Sequence, residues 1–290
     1  MTRPPALTDR SALNRNRQRA LQNGDFFAHT HIAAEFQERL NEVNRTFTRP
    51  AIVTGFPHLW ADFLPNATLV PDGEILDLQP GAHDLIIDAL TLHWADDPVG
   101  QLVQARRALL PDGMYLAALP GGQTLSELRS ALAEAEVALT GGLSPRVLPM
   151  AEIRDLGALL QRAGFALPVA DSVLQTASYR DLRHLAADLR AMGEGNALMQ
   201  RLRRPAPRGL IDQAETLYRA NYPAPDNRIL ASFDCIYLTG WAPSADQPQP
   251  LRPGTARARL ADALQTQETP LGDAATPLPA ARGHESGPTD

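Results

Sequence analysis

Residues 84–98 read DLIIDALTLHWADDP, and this stretch decides the architecture. Asp84 to Leu92 is an apolar run of strand length, which predicts a buried strand. It passes through His93 and Trp94 into a helix carrying Val99, Leu102, Arg106 and Leu109. Leu110-Pro111-Asp112-Gly113 then signals a turn, and Met114 to Leu119 a further strand. Upstream, Ala51 to Thr54 is strand-like and is followed by Gly55, after which Leu59, Trp60, Phe63 and Leu64 give a short amphipathic helix. Strands and helices alternate. That predicts the α/β class, with a mostly parallel sheet flanked by helices on both faces and ligand sites at the carboxyl ends of the strands.

Further along, the pattern predicts helices over Thr124 to Leu139 and Met150 to Ala163, separated by a break at Gly141-Gly142, with Gly164 as the second helix's C-cap. Leu167 to Thr176 and Ser232 to Gly240 read as strands, with helices over Tyr179 to Met192 and Leu210 to Tyr222 between them. The last strand carries apolar residues at adjacent positions, so both of its faces are expected to be covered. Before the first strand, Ile32, Phe36, Leu40 and Val43 share one face of a helix that packs on the main domain. The arginine-rich stretch 14–19 reads either as a solvated face or as a contact for a phosphate or an acidic partner. The chain thus divides into a helical segment over 1–49, the α/β domain over 50–242, and a tail over 243–290. That tail holds eight prolines and no aromatic residue, which predicts disorder apart from a transient helical stretch over Ala256 to Gln265.

Composition narrows the function. Across 290 residues, 44% are hydrophobic and 21% charged, as in an ordinary globular protein. The net charge of −6 argues against a general electrostatic grip on nucleic acid or anionic lipid. Cys235 is the single cysteine, which excludes an intrachain disulfide or thiolate cluster and fits a reducing, cytoplasmic location. No apolar run approaches the ~20 residues of a membrane span, and the first sixteen residues lack the apolar core of a leader. His29 and His31 diverge on a helix and have no cysteine or carboxylate cluster beside them, so no metal site is expected.

Residues 84–98, continued by Arg106-Arg107-Ala108-Leu109-Leu110-Pro111-Asp112-Gly113, resemble the central block of class I S-adenosylmethionine-dependent methyltransferases. Gly121-Gly122-Gln123-Thr124-Leu125, Gly142-Leu143-Ser144-Pro145, Asp155-Leu156-Gly157, Arg162-Ala163-Gly164-Phe165 and Met192-Gly193-Glu194 are similar to a narrower group. That group contains the mitochondrial complex I assembly-factor methyltransferase homologues and resembles the malonyl-carrier-protein methyltransferase of biotin synthesis. The resemblance implies a Rossmann-like fold, S-adenosyl-L-methionine as cofactor, and a protein or small-molecule acceptor. In the mitochondrial branch it also implies hydroxylation of an arginine on a respiratory complex I subunit.

The chain departs from the family pattern in one place. Ile52-Val53-Thr54-Gly55-Phe56-Pro57-His58 has a single glycine where two or three let backbone amides approach the cofactor, and Pro57 removes a donor. Asp72 follows too soon after Gly55 for the full set of elements, so one strand-helix unit is expected to be missing. Either a trimmed site of Gly55, Asp72 and Leu92-His93-Trp94 binds the cofactor, or the fold survives as a cofactor-less binding module.

Each candidate has a functional and a structural reading. Asp72 accepts from an adenine amine, or is the turn residue of Pro71-Asp72-Gly73. His93 is a general base at a strand end, or a packed histidine; Trp94 walls the cofactor site, or packs under the next helix. Gly121, Gly122, Thr124, Glu127 and Arg129 are the substrate-binding candidates, at the carboxyl edge of the sheet, while Thr124 and Glu127 equally form a capping box. Glu194 and Asn196 contact a substrate or shape their loop. Cys235 reads as a small hydrophobe.

Overall fold

The computed structural model describes residues 6–247. Two helices, α1 (Arg10–Asn23) and α2 (Phe27–Glu42), precede β1 (Pro50–Thr54), α3 (Pro57–Trp60), β2 (Thr68–Pro71) and β3 (His83–Ala89). A 3-10 turn at Leu92–Trp94 leads to α4 (Pro98–Ala108), β4 (Leu109–Pro120), α5 (Ser126–Thr140), α6 (Ile153–Arg162) and β5 (Ala166–Tyr179). The chain then forms α7 (Leu182–Ala191), α8 (Leu210–Asn221), β6 (Pro223–Ala224) and β7 (Arg228–Trp241).

The strands form one sheet in the order β2-β1-β3-β4-β7-β5, with β6 on the end of β7. β2, β1, β3 and β4 run parallel, and β7 is antiparallel to both β4 and β5. This is the mostly parallel, Rossmann-like arrangement expected. The shortening is also visible: β2 is the edge strand, and no helix stands between Pro71 and His83.

Alternation along the strands assigns the two faces. Ala51, Val53, Ile86, Tyr115, Ala117 and Leu238 pack with Leu102 and Ala105 of α4 and Leu156 and Leu160 of α6. Ile52, Leu85, Ile87, Met114, Leu116 and Tyr237 pack with Trp60 and with Ile32, Phe36 and Leu40 of α2, the helical face expected from their spacing. A third cluster joins α5, α7 and α8 to the ends of β5 and β7 through Leu128, Leu185, Leu210, Tyr218 and Ile229. Each fully buried Leu or Ile in these layers is worth about 1.5–3 kcal/mol.

Several boundaries moved for local reasons. The turn at 110–113 is a bulge inside β4, with Asp112 at φ +61° and a register shift opposite His83 and Leu85. β5 runs on to Tyr179, so α7 starts only after Asp181, whose carboxylate caps it by accepting from the His184 N–H. Gly164, at φ +84°, closes α6, with Phe165 N–H donating to the Leu160 carbonyl. The arginine-rich stretch is itself helical, because Asp9 caps α1 and Ala12, Leu13 and Ala20 are buried. Gln247 packs back on the β4 bulge, donating to Asp112 Oδ1. The expected tail from residue 248 on, with Ala256 to Gln265, lies outside the described residues.

Candidate functional site

At the carboxyl ends of β1, β2 and β3 the chain places Gly55, Asp72 and Asp88, and α1 crosses over them. Arg10 Nη1 lies 2.6 Å from Asp72 Oδ2 and Arg17 Nη1 2.5 Å from Asp72 Oδ1. The Asp72 and Arg17 side chains are only 6% and 7% exposed, so that pair is buried, while Arg10, 27% exposed, closes the triad from the solvent side. Burial opposes the charge on Asp72, but the two guanidiniums outweigh it and hold the carboxyl below its ordinary value. Arg17 also passes directly over Gly55, where a Cβ would stand 2.2 Å from its guanidinium carbon. Gly55 is therefore a glycine that admits an arginine.

Asp88 sits below. Its Oδ1 accepts from Thr91 N–H, Thr91 Oγ1 and Leu92 N–H, which shapes the 3-10 turn carrying His93 and Trp94. Burial, with the charge of Asp72 adding to it, raises the Asp88 carboxyl to about 6. The start of α1 is strapped to the same turn: Leu7 and Thr8 N–H groups donate to Asp96 Oδ1, and Thr8 Oγ1 to the Trp94 carbonyl. Asp9 takes Arg201 at 2.9 Å and Arg203 at 3.4 Å.

Beside this triad, past the end of β4 and along the middle of β7, lies a cavity of about 430 Å³. Leu128, Leu148, Leu189 and Phe233 contribute to its apolar walls, and His93, Glu194 and Asp234 supply polar groups. Glu194 Oε2 accepts from Trp94 Nε1 at 3.0 Å and meets His93 Nε2 at 3.3 Å. Burial disfavours its charge, but His93 and Arg17 hold the carboxyl below the usual range. The loop reaches this position through Gly193 at φ +81°, where a Cβ would press on Phe56. Arg146, also in the wall, is neutralised by Glu136, whose carboxyl is lowered to about 2 chiefly by that arginine's hydrogen bond.

The expected site residues thus fall into three places. Gly55 and Asp72 face α1. His93, Trp94 and Thr124 line the cavity, while Leu92 is buried in the turn beneath. Gly121, Gly122, Glu127 and Arg129 build the connection between β4 and α5. Gly121 N–H donates to the Asp234 carbonyl, Glu127 accepts from Ser232 N–H and Oγ, and Arg129 reaches the carbonyls of Gly122 and Thr124. Gly122 leaves space for Glu152, which a Cβ would meet at 2.2 Å. Thr124 Oγ1 bonds the Asp234 backbone at 2.8 and 3.0 Å instead of capping α5, which begins after Leu125 in the left-handed region at φ +53°. The capping box is therefore absent.

Glu194 joins His93 and Trp94; Asn196 also lines the cavity, its side chain accepting from Leu198 N–H in its own loop and donating to the Pro145 carbonyl of the α5–α6 connection. Arg17 comes from the arginine-rich stretch read as a solvated face or a contact, whereas Arg10, Asp88 and Asp234 were not expected in the site, although a carboxylate inside the buried run Leu85 to Ala89 is a readable signal for Asp88. Cys235 lines the cavity with its thiol pushed up to about 11 by burial, which disfavours the thiolate. His29 accepts from Trp60 Nε1 while His31 meets Gln175. Among the described residues no three His, Cys, Asp or Glu gather as a metal-ligand set, and no helix is long and apolar enough to cross a membrane.

No protein-family model matches the chain. Among curated proteins it is 31% identical over 233 residues to the mitochondrial arginine-hydroxylase NDUFAF5 of Danio rerio, covering 80% of this chain and 72% of that protein. To the Dictyostelium discoideum protein of the same name it is 37% identical over 192 residues, 66% of this chain and 44% of that one. It is also 33% identical over 189 residues to the malonyl-[acyl-carrier protein] O-methyltransferase of Xylella fastidiosa (strain M23), 65% of this chain and 61% of that enzyme. The chain spans less than two thirds of the last two relatives.

Proposed function

We propose, from the premise that the chain belongs to the arginine-hydroxylase NDUFAF5 family within the class I S-adenosylmethionine-dependent methyltransferases, that it is a methyltransferase-like modifying enzyme acting on a long cationic side chain of a partner protein. The observation that carries this reading is the cavity beside the α1 triad. Its apolar walls suit the methylene stem of an arginine, and the Glu194 and Asp234 carboxylates suit its guanidinium. Glu194, kept ionised by His93, orients the head group, and the apolar lining excludes water from it. A subunit of a respiratory complex, in a reducing compartment, is the partner class this family membership favours.

S-adenosylmethionine is the cofactor that membership implies. As arranged here, the residues expected to hold it do not fit it: Arg17 fills the space over Gly55, and both Asp72 oxygens are engaged by Arg10 and Arg17. The same observation favours a second reading, a methyltransferase-fold binding protein that recognises the acceptor without a cofactor.

Calorimetric titration with S-adenosylmethionine and S-adenosylhomocysteine separates the two. The enzyme reading requires α1 to withdraw Arg17, so binding is expected in the wild type and is expected to tighten in Arg17→Ala. Flat titrations and unmoved melting curves in both proteins leave the binding-protein reading. An arginine-centred peptide tests the cavity under either reading, with weaker binding expected in Glu194→Gln.

A further inference from the structure

Resting on the reading that a partner's cationic side chain enters the cavity, we infer that the partner presents acidic residues beside that side chain, seated on Arg19 and Arg190 at the cavity mouth. A hollow of about 270 Å³ lies between α1 and α7, lined by Asn16, Arg19, Ala20, Arg190, Ala191 and Gly195. It shares Asn16, Arg190 and Gly195 with the larger cavity, so the two adjoin. Asn16 Nδ2 donates to the Gly195 carbonyl at 2.9 Å, which ties α1 to the loop after α7.

The charge here runs against the rest of the molecule. The chain carries a net charge of −6, yet among the described residues no carboxylate lines this hollow. Arg10 and Arg17 are both paired to Asp72, Arg39 to Asp171, Arg146 to Glu136 and Arg201 to Asp9. Arg19 and Arg190, both exposed, show no ion pair among the described residues. α1 contains four arginines and no acidic residue, so the helix supplies no carboxylate of its own to its outward face. The chain has no lysine, and a pair of planar guanidinium forks suits carboxylates better than ammonium groups would. An arginine inserted in the cavity would leave its sequence neighbours at this mouth. Aspartate or glutamate one to three residues away is the complementary occupant.

Fluorescence polarisation on the full chain tests this with three labelled peptides. One has a central arginine with aspartate flanks, one the same arginine with serine flanks, and one aspartate flanks around citrulline. Acidic flanks are expected to tighten binding about tenfold, an advantage that shrinks between about 50 and about 300 mM salt. The double variant Arg19→Glu/Arg190→Glu is expected to abolish that advantage, and Arg19→Gln/Arg190→Gln to reduce it while melting like the wild type. Equal affinity for acidic and serine flanks, or an advantage untouched by both double variants, overturns the inference. So does an equally tight, Arg19-dependent hold on phosphatidylglycerol vesicles or single-stranded RNA. The citrulline peptide keeps the two readings apart: if it binds as well as the arginine peptide while flank charge still matters, the acidic surface stands and the cationic-cavity reading fails.

Discussion

Gly55 and Asp72 owe their surroundings to one arginine. Because Arg17 lies 2.2 Å from the position of a Gly55 Cβ, Gly55→Ala is expected to cost about 1–3 kcal/mol by overpacking. In an Arg17→Ala background most of that cost should vanish, and urea melts of the four proteins in the cycle measure the coupling. Asp72→Asn breaks a buried pair and is expected to cost on the order of 3–5 kcal/mol. The folded Asp72 carboxyl is held below its ordinary 3.8, so its contribution is present above that pH and lost as pH falls further. The wild type should therefore lose stability below about pH 4 more steeply than Asp72→Asn. Asp88 behaves oppositely. Its folded value of about 6 lies above the unfolded 3.8, so it costs stability as pH rises between them. Asp88→Asn, which keeps an oxygen for Thr91 and Leu92, should be more stable than the wild type at pH 7.5 and not at pH 4.

α1 is the element on which the chemistry turns. It is held at its start by the Asp9 cap, by Arg201 on Asp9 and by the Thr8 strap to Trp94, and along its length by the Asp72 triad. Asp9→Ala removes both the cap and the Arg201 partner, and should destabilise the helix by about 1–2 kcal/mol. Hydrogen exchange is the suitable measurement: faster exchange across α1 and the Leu92–Trp94 turn, with β3 and β4 unchanged, is expected. If α1 exchanges no faster in that variant, the strap is not what holds it. The α4 helix, by contrast, is anchored by its own Asp97 cap on Gly100 N–H and by the apolar face it lays on the sheet, so it should not respond.

For the molecule as a whole, buried titratable groups predict the shape of the pH profile. His29 is a neutral acceptor for Trp60, lowered to about 4 chiefly by burial. Its folded value lies below the unfolded 6.5, so stability falls as pH drops from 6.5 towards 4 and is lost no further below that. Asp88 works the other way across much of the same window, which should leave the wild-type profile shallow between pH 4 and 6. His29→Gln is expected to expose the Asp88 limb, with stability rising as pH falls through that window. Below pH 4 the ion-paired Asp72 and Glu136 and the hydrogen-bonded Asp84, each held below its ordinary value, lose their contribution progressively as pH falls, and stability should drop.

The layered α/β fold was legible in the residues themselves, because it depends on local periodicity. The buried run through Leu85, Ile86 and Ile87, the helical face of Ile32, Phe36 and Leu40, and the glycine that closes α6 at Gly164 each declare themselves within a few positions of sequence. The missing strand-helix unit was legible too, since the short interval from Gly55 to Asp72 has no room for it. The contents of the site were decided by tertiary structure alone. Arg10 and Arg17 reach Asp72 across 62 and 55 residues, and Glu194 reaches Trp94 across 100. No periodicity encodes such pairings: they arise where helices laid down by local rules meet over the ends of the strands, and buried charges there must find one another or remain unpaired.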